Sequence, residues 1–416
     1  MKNLFKNIKL LVQTENTPKS LVKGIDMAKL RNISNAFLIT EDDKILQFGK
    51  MEDLPSDIQP DKVYDVSDGF ILPSYCDSHT HLVFAGSREI EYNDKIRGLS
   101  YEEIAKRGGG ILNSAKLLNE TSEDELYRQS EKRIDEIITQ GTGAVEIKSG
   151  YGLTVEGELK MLRVIQRLKE NKALLIKSSF LGAHAVPAEY KNNPGAYTDL
   201  IINEMLPNVA KEKTADYIDV FCDQGFFSNQ DTDKILEAAA KYGLRPKIHA
   251  NELDYSGGIQ TGVKNNALSV DHLEYTGDAE IEALKNSDTM PVILPGAAFF
   301  LNLVYAPARK MIDSGLPLAI ASDYNPGSSP SGNMKLMMSF GAVNHKMTIN
   351  ELINAVTING AYAMGLSHTA GTIAKGKKAN FYITKPIPTL EFLPYAYGSN
   401  LIKAVFLNGE EQQFKL

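Results

Sequence analysis

The stretch FILPSYCDSHTHLVFAGSR (Phe70–Arg88) passes from an unbroken apolar run to two histidines one residue apart. A short apolar run with no alternation reads as a strand buried on both faces, the kind a parallel α/β sheet contains. Alternate residues leaving a strand point the same way, so His79 and His81 can meet at one point. The reading predicts a strand over 69–77 whose C-terminal end presents two imidazoles.

Seven further apolar runs follow. They are GAVEIKS (143–149), LLIKSSFLGAH (174–184), YIDVFCD (217–223), LRPKIHA (244–250), ALSVDHLEY (267–275), MPVILPGAA (290–298) and PLAIASDYN (317–325). Between most of them the apolar positions recur at three and four, as in ELYRQSEKRIDEIITQG, EGELKMLRVIQRLKENKA and NQDTDKILEAAAKYG. Eight strands with interleaved helices predict a TIM (β/α)8 barrel. The segment between the first two strands is long. Its part AGSREIEYNDKIRGLSYEEIAKRGGGI is polar and glycine-rich, and reads as a loop over the active site.

Both chain ends look β-rich. LFKNIKLLVQT, the hairpin NISNAFLITEDDKILQFG turning at Glu41-Asp42-Asp43, and DKVYDV precede the barrel; KKANFYIT and LIKAVFLNGEEQQFKL follow it. The expected organisation is a small β-sandwich-like domain formed by both termini (1–68 and 366–416), with the barrel (69–365) inserted between them.

The chain has 416 residues, enough for one barrel of roughly 250 residues and a second small domain. Its net charge of −7 gives no electrostatic footprint for nucleic acid or an anionic membrane. No apolar run reaches the length of a membrane span, and the start has no secretory leader pattern. Cys76 and Cys222 sit in apolar segments and read as free, buried thiols in a reducing compartment.

Most titratable candidates fall at the C-terminal ends of predicted strands, the catalytic face of a barrel. His249 ends KIHANE, with Glu252 three residues on. His272 lies in SVDHLEY, and Asp323 follows an apolar run before an Asn-Pro-Gly turn. Five of the seven histidines (His79, His81, His184, His249 and His272) share this face, while His345 and His368 read as structural or surface residues. Imidazoles with a carboxylate form a donor set suited to Zn²⁺ or Fe²⁺. Arg88 can clamp a carboxylate bidentately. Tyr151 stands between Gly150 and Gly152, which free the backbone beside it.

Together FILPSYCDSHTHLVFAGSR, EIKSGYGL, FLGAHAVP, KIHANE, VDHLEY and ASDYNPGSSP resemble the amidohydrolase superfamily, and within it the imidazolonepropionase family. The resemblance spans roughly residues 35–400. It implies one divalent metal ion per chain, Zn²⁺ or Fe (2+/3+), held by His79, His81, His249 and Asp323. It implies substrate binding by Arg88, Tyr151, His184, Glu252, Asn325, Gly327 and Ser328, and catalysis by Glu252, His272 and Asp323. Relatives with two metals carry a carboxylated lysine on the fourth strand. YIDVFCD has none, and Lys148 on the second strand is not read as a bridging ligand.

The implied activity is hydrolysis of the cyclic amide of 4-imidazolone-5-propanoate to N-formimidoyl-L-glutamate, a step of histidine degradation, by a cytoplasmic homodimer. Ring deaminases of the same superfamily share the histidines and the final aspartate. Arg88 with the SGYG and NPGSSP loops points instead to a ring that carries an acidic tail.

Overall fold

The computed structural model describes residues 1–17, 19–99, 103 and 109–413. In the N-terminal part the strands are β1 (Lys2–Leu11), β2 (Thr14–Glu15), β3 (Ile33–Glu41), β4 (Lys44–Lys50), β5 (Lys62–Asp65) and β6 (Phe70–Pro73). The central strands are β7 (Tyr75–Thr80), β8 (Thr142–Lys148), β9 (Leu175–Ala183), β10 (Tyr217–Cys222), β11 (Arg245–Ala250), β12 (Ser269–His272), β13 (Met290–Ile293) and β14 (Ala319–Ile320). The chain ends with β15 (Ile373–Ala374), β16 (Phe381–Thr384), β17 (Ile402–Leu407) and β18 (Glu410–Glu411).

Strands β7 to β14 pair in chain order, all parallel. The circle closes just beyond β14. His81 N–H donates to Tyr324 O (3.0 Å), and Asp323 N–H donates to His79 O (3.0 Å). This is the (β/α)8 barrel, and its seam lies where the two histidines of the first strand meet the aspartate of the last.

The helices that follow β7, β8 and β10 begin where the sequence offers a cap. Ser122 Oγ accepts from Glu125 N–H ahead of Glu123–Thr139. Thr154 Oγ1 accepts from Gly157 N–H ahead of Val155–Asn171, and Ser228 Oγ accepts from Asp231 N–H ahead of Asn229–Ala240. Each satisfies a donor that the first turn leaves free. Their apolar stripes, such as Leu126, Ile134, Ile137 and Ile138, are buried against the barrel.

The sheet built from both ends runs β18-β17-β16-β6-β1-β3-β4, with β5 also on β1. A bulge between Phe5 and Ile8 lets β1 pair with β5 over Asn3–Lys6 and with β6 at Leu10 and Leu11. Its core is apolar and aromatic: Phe5, Phe381 and Phe406 pack at 4.9–5.1 Å between ring centroids.

Two expectations need correction. The run 69–77 is two strands: Phe70–Pro73 lies in the terminal sheet between β1 and β16, and the barrel strand starts only at Tyr75. Pro73 has no N–H to give and ends the first ladder; Ser74 N–H bonds Asn380 O and Tyr75 N–H bonds Gly141 O, one residue on each side of the switch. The run 290–298 stops at Ile293, because Pro295 opens the helix Pro295–Leu301 at its first position. The long connection after β7 carries the helices Glu89–Ile96, Ile111–Glu120 and Glu123–Thr139. Of the expected loop over the site, residues 100–102 and 104–108 lie outside the described residues.

Candidate metal centre and substrate cavity

His79 is fully buried at the end of β7. Its Nδ1 lies 2.6 Å from Asp271 Oδ2. With a carboxylate as acceptor, Nδ1 carries the hydrogen, and Nε2 is left as a lone pair with no hydrogen-bond partner among the described residues. His249, on β11, repeats the arrangement, with Nδ1 3.0 Å from Asp219 Oδ1. Its Nε2 lies 3.3 Å from Nε2 of His81. Asp323 Oδ1 stands 3.5 Å from Nε2 of both His79 and His81. Burial, and then neighbouring positive charge or a second imidazole, hold His79 and His81 well below the ordinary histidine range, so both are neutral.

These atoms suit a divalent ion. The donor atoms of His79, His81 and His249 fall within 4.8 Å of one another. Nitrogens bound to one tetrahedral zinc at about 2.0–2.1 Å sit roughly 3.3–3.4 Å apart, close to the His81–His249 separation. Carboxylates behind two of the imidazoles fix their tautomers, as they do behind metal-bound histidines. Burial pushes the Asp323 carboxyl up to about 7 in the metal-free protein, and a cation beside it would reverse that shift.

The backbone at this mouth is strained. Asp323 (φ 54°), His272 (φ 85°) and Leu273 (φ 74°) occupy the left-handed region. Such conformations cost about 1–3 kcal/mol each and persist where surrounding structure over-determines them. At Asp323 the seam bonds and the turn that follows do so, and Leu273 N–H is held by Ala250 O. Asn325 Nδ2 donates to Asp323 O and to Ser328 Oγ (2.7 Å each), and Asn325 Oδ1 accepts from Gly327 N–H and Ser328 N–H (2.8 Å each). Ser328 Oγ donates in turn to Asp323 Oδ2 at 3.3 Å.

Above the donor atoms lies a cavity of about 200 Å³. His81, Arg88, Tyr151, His184, His249, Glu252, His272, Asp323, Asn325, Gly327 and Ser328 all line it; His79 sits beneath. Arg88 enters at the N-terminus of Glu89–Ile96. Its Nε donates to Ser114 Oγ (2.8 Å), and its buried Nη2 has no hydrogen-bond partner among the described residues. A methyl at Gly327 would lie 2.3 Å from Arg88 Nη1, so a side chain there would displace the guanidinium from this position. Arg88 stands 5.9 Å from the Tyr151 ring centre. His184 gives Nδ1–H to Gly150 O (2.9 Å), leaving Nε2 as an acceptor, and burial pulls it down to about 3.

The acid–base candidates sit together. His272 Nδ1 is buried without a hydrogen-bond partner among the described residues, 3.6 Å from Glu252 Oε2 and 3.9 Å from Glu274 Oε2. These distances are too long for hydrogen bonds in this state. Burial, reinforced by the charges of Asp323 and Asp223, pushes Glu252 up to about 8, so it holds a proton near neutral pH. Asp223 Oδ2 accepts from Glu252 N–H (2.7 Å) and Leu253 N–H (2.9 Å) and fixes the turn that carries Glu252.

Reading the sequence missed Asp219, Asp271, Asp223 and Glu274. It also missed Glu158, whose buried carboxylate accepts from Gly150, Gly152 and Leu153 N–H (2.8 Å each) and shapes the loop bearing Tyr151. The available signal for Asp219 and Asp271 was a single acid inside an apolar strand. Lys148 pairs with Glu146 and Asp219 rather than joining the donor set. His345 is buried and does not line the cavity, its Nδ1 bonded to Ala306 O, and His368 is exposed. Both cysteines are free and buried.

A model described as the amidohydrolase family matches residues 70–411. A protein of Flavobacterium johnsoniae named imidazolonepropionase is 58% identical over 99% of this chain and 100% of its own length. One of Caldanaerobacter subterraneus with the same name is 42% identical over 92% of this chain and 91% of its own. Solved structures share the fold at low identity. E. coli guanine deaminase has a TM-score of 0.74 at 12% identity, covering 100% of both chains. A. niger ochratoxinase has 0.70 at 17%, covering 99% of this chain and 95% of its own. With the family model spanning most of its length and near-full-length relatives above half identity, the chain belongs to the amidohydrolase family, among the imidazolonepropionases.

Proposed function

We propose that this protein opens the ring of 4-imidazolone-5-propanoate by hydrolysing its cyclic amide C–N bond, giving N-formimidoyl-L-glutamate in histidine degradation. The observation that carries the reading is the cavity itself. In its support, one lining carries Arg88, whose Nη2 has no hydrogen-bond partner among the described residues, the imidazoles of His81 and His249, and Glu252, whose carboxyl burial pushes up to about 8.

His79, His81, His249 and Asp323 would hold one zinc or iron ion per chain. When bound, such an ion acidifies water and makes hydroxide available near neutral pH. Arg88 pairs with the propionate tail, and Tyr151 and His184 orient the tail and ring. Asp323 accepts the proton released as water becomes the nucleophile. His272 hydrogen-bonds the ring carbonyl oxygen as charge develops there. Glu252 passes its proton to the departing ring nitrogen as the C–N bond breaks. Asn325, Gly327 and Ser328 close the cavity around the substrate. The same reading makes the protein a cytoplasmic homodimer that takes a small molecule and binds neither nucleic acid nor membrane. In support, no described helix is long and apolar enough to cross a membrane.

The test is turnover of freshly generated 4-imidazolone-5-propanoate with N-formimidoyl-L-glutamate as the measured product. His272→Ala should lower kcat by about 10²–10³-fold. Absence of product from the metal-loaded protein would remove the assignment and turn attention to other cyclic amides.

A further inference from the structure

Beneath the histidines the barrel interior is charged. Glu146, Lys148, Asp219, Lys247 and Asp271 are all fully buried. Lys148, on β8, sends its Nζ to Asp219 Oδ2 (2.6 Å) and Glu146 Oε1 (2.8 Å), and lies 3.8 Å from Asp271 Oδ2. Asp219 spends its other oxygen on His249 Nδ1, and that same Oδ2 of Asp271 faces His79 Nδ1. One ammonium therefore stands behind both carboxylates that orient candidate metal ligands, and the ligands come from strands β7 and β11. The second buried cation, Lys247, adds its charge near Asp271 but makes its direct contacts elsewhere. It donates to Ser78 O (2.8 Å) and Ala363 O (3.1 Å) and lies 3.4 Å from Glu146 Oε2.

We propose that Lys148 is a positioning residue of the metal centre, a single clamp that sets the aim of His79 and His249 together through Asp271 and Asp219. A buried carboxylate can hold an imidazole Nδ1–H only while it is itself held and compensated. Two such carboxylates near one another repel in a medium of low polarity, and the ammonium between them removes that repulsion. The benefit reaches the metal because each Nε2 can aim only where its Nδ1 bond lets it. Groups one bond behind the ligands, here Asp219 and Asp271, typically set about 10–100-fold in metal affinity, and a lysine that holds both acts through them within that range. The inference rests on the metal reading above, and the test separates the two.

Zinc affinity is measured on the full chain by competition with a chelator, alongside the visible spectrum of the cobalt-substituted protein. The proteins compared are the parent, Lys148→Met and Lys148→Arg. We expect about 10–100-fold weaker zinc binding and an altered cobalt spectrum for Lys148→Met, with partial recovery for Lys148→Arg. Where Lys148→Met does not fold, the charge-balanced double variant Lys148→Met/Glu146→Gln takes its place, because Glu146 touches neither histidine. It is read against Glu146→Gln alone, and the same loss is expected. Unchanged zinc affinity and an unchanged cobalt spectrum in the variants would overturn the proposal while leaving the metal reading intact. A parent protein that binds no zinc or cobalt would overturn both.

Discussion

The core of the terminal sheet and the interior of the barrel lie a few residues apart along the chain and are built from opposite materials. Phe5, Ile8, Leu11, Phe381 and Phe406 fill the first. Glu146, Lys148, Asp219, Lys247 and Asp271 occupy the second at equal burial. Apolar burial stabilises in proportion to area. Buried ion pairs are worth little against well-packed apolar residues of the same size, and can cost stability. The sheet core thus serves folding, whereas the barrel interior, on the proposed metal reading, gives up folding energy to hold imidazoles in one tautomer and one direction.

Substitutions can break this contrast in either direction. The largest effect is expected at the mouth. His79→Ala should reduce kcat by about 10³-fold or more with the fold retained, since the donor set is lost while the surrounding bonds remain. Circular dichroism and turnover on the same sample check it, and loss of folding in step with activity would blur the contrast. Next is Phe381→Ala, which should cost about 3–5 kcal/mol of stability and leave kcat per folded molecule unchanged. Denaturant unfolding with parallel kinetics reads both. A third and smaller effect is expected for Arg88→Gln: KM raised about 10–100-fold, the worth of one charge-assisted pairing. Wild-type constants would contradict the role given to the unpartnered Nη2.

The smallest effect sharpens the comparison through pH. Glu252 ionises near 8 in the folded, metal-free protein and near 4.3 when unfolded. A raised carboxyl contributes stability that is fully present below the unfolded value and is lost as pH rises toward 8. Metal-free Glu252→Gln should therefore gain on the parent between pH 5 and pH 8, by about 2–4 °C in Tm. An equal difference at both pH values would show that Glu252 is not held protonated by its surroundings.

How far the sequence could be read follows the same division. Strands announced themselves as apolar runs, and the histidines and Asp323 stood out because each ends such a run. The switch at Ser74 was hidden, because a run crossing from one sheet to another looks no different from one long strand. Asp219, Asp271 and Lys148 were hidden for a related reason. A charge inside YIDVFC, SVDH or EIK gives no sign of what it will face across the barrel, and only the closed circle brings the three together. Glu158 was masked by an amphipathic helix, where its spacing looks like any other polar position.

The most direct test of the account is a titration of metal-free protein with zinc, following N-formimidoyl-L-glutamate formation at saturating 4-imidazolone-5-propanoate. The account predicts no activity without metal and a linear rise that breaks at one equivalent per chain. Full activity in the metal-free protein, or no activity at one bound equivalent, would contradict it.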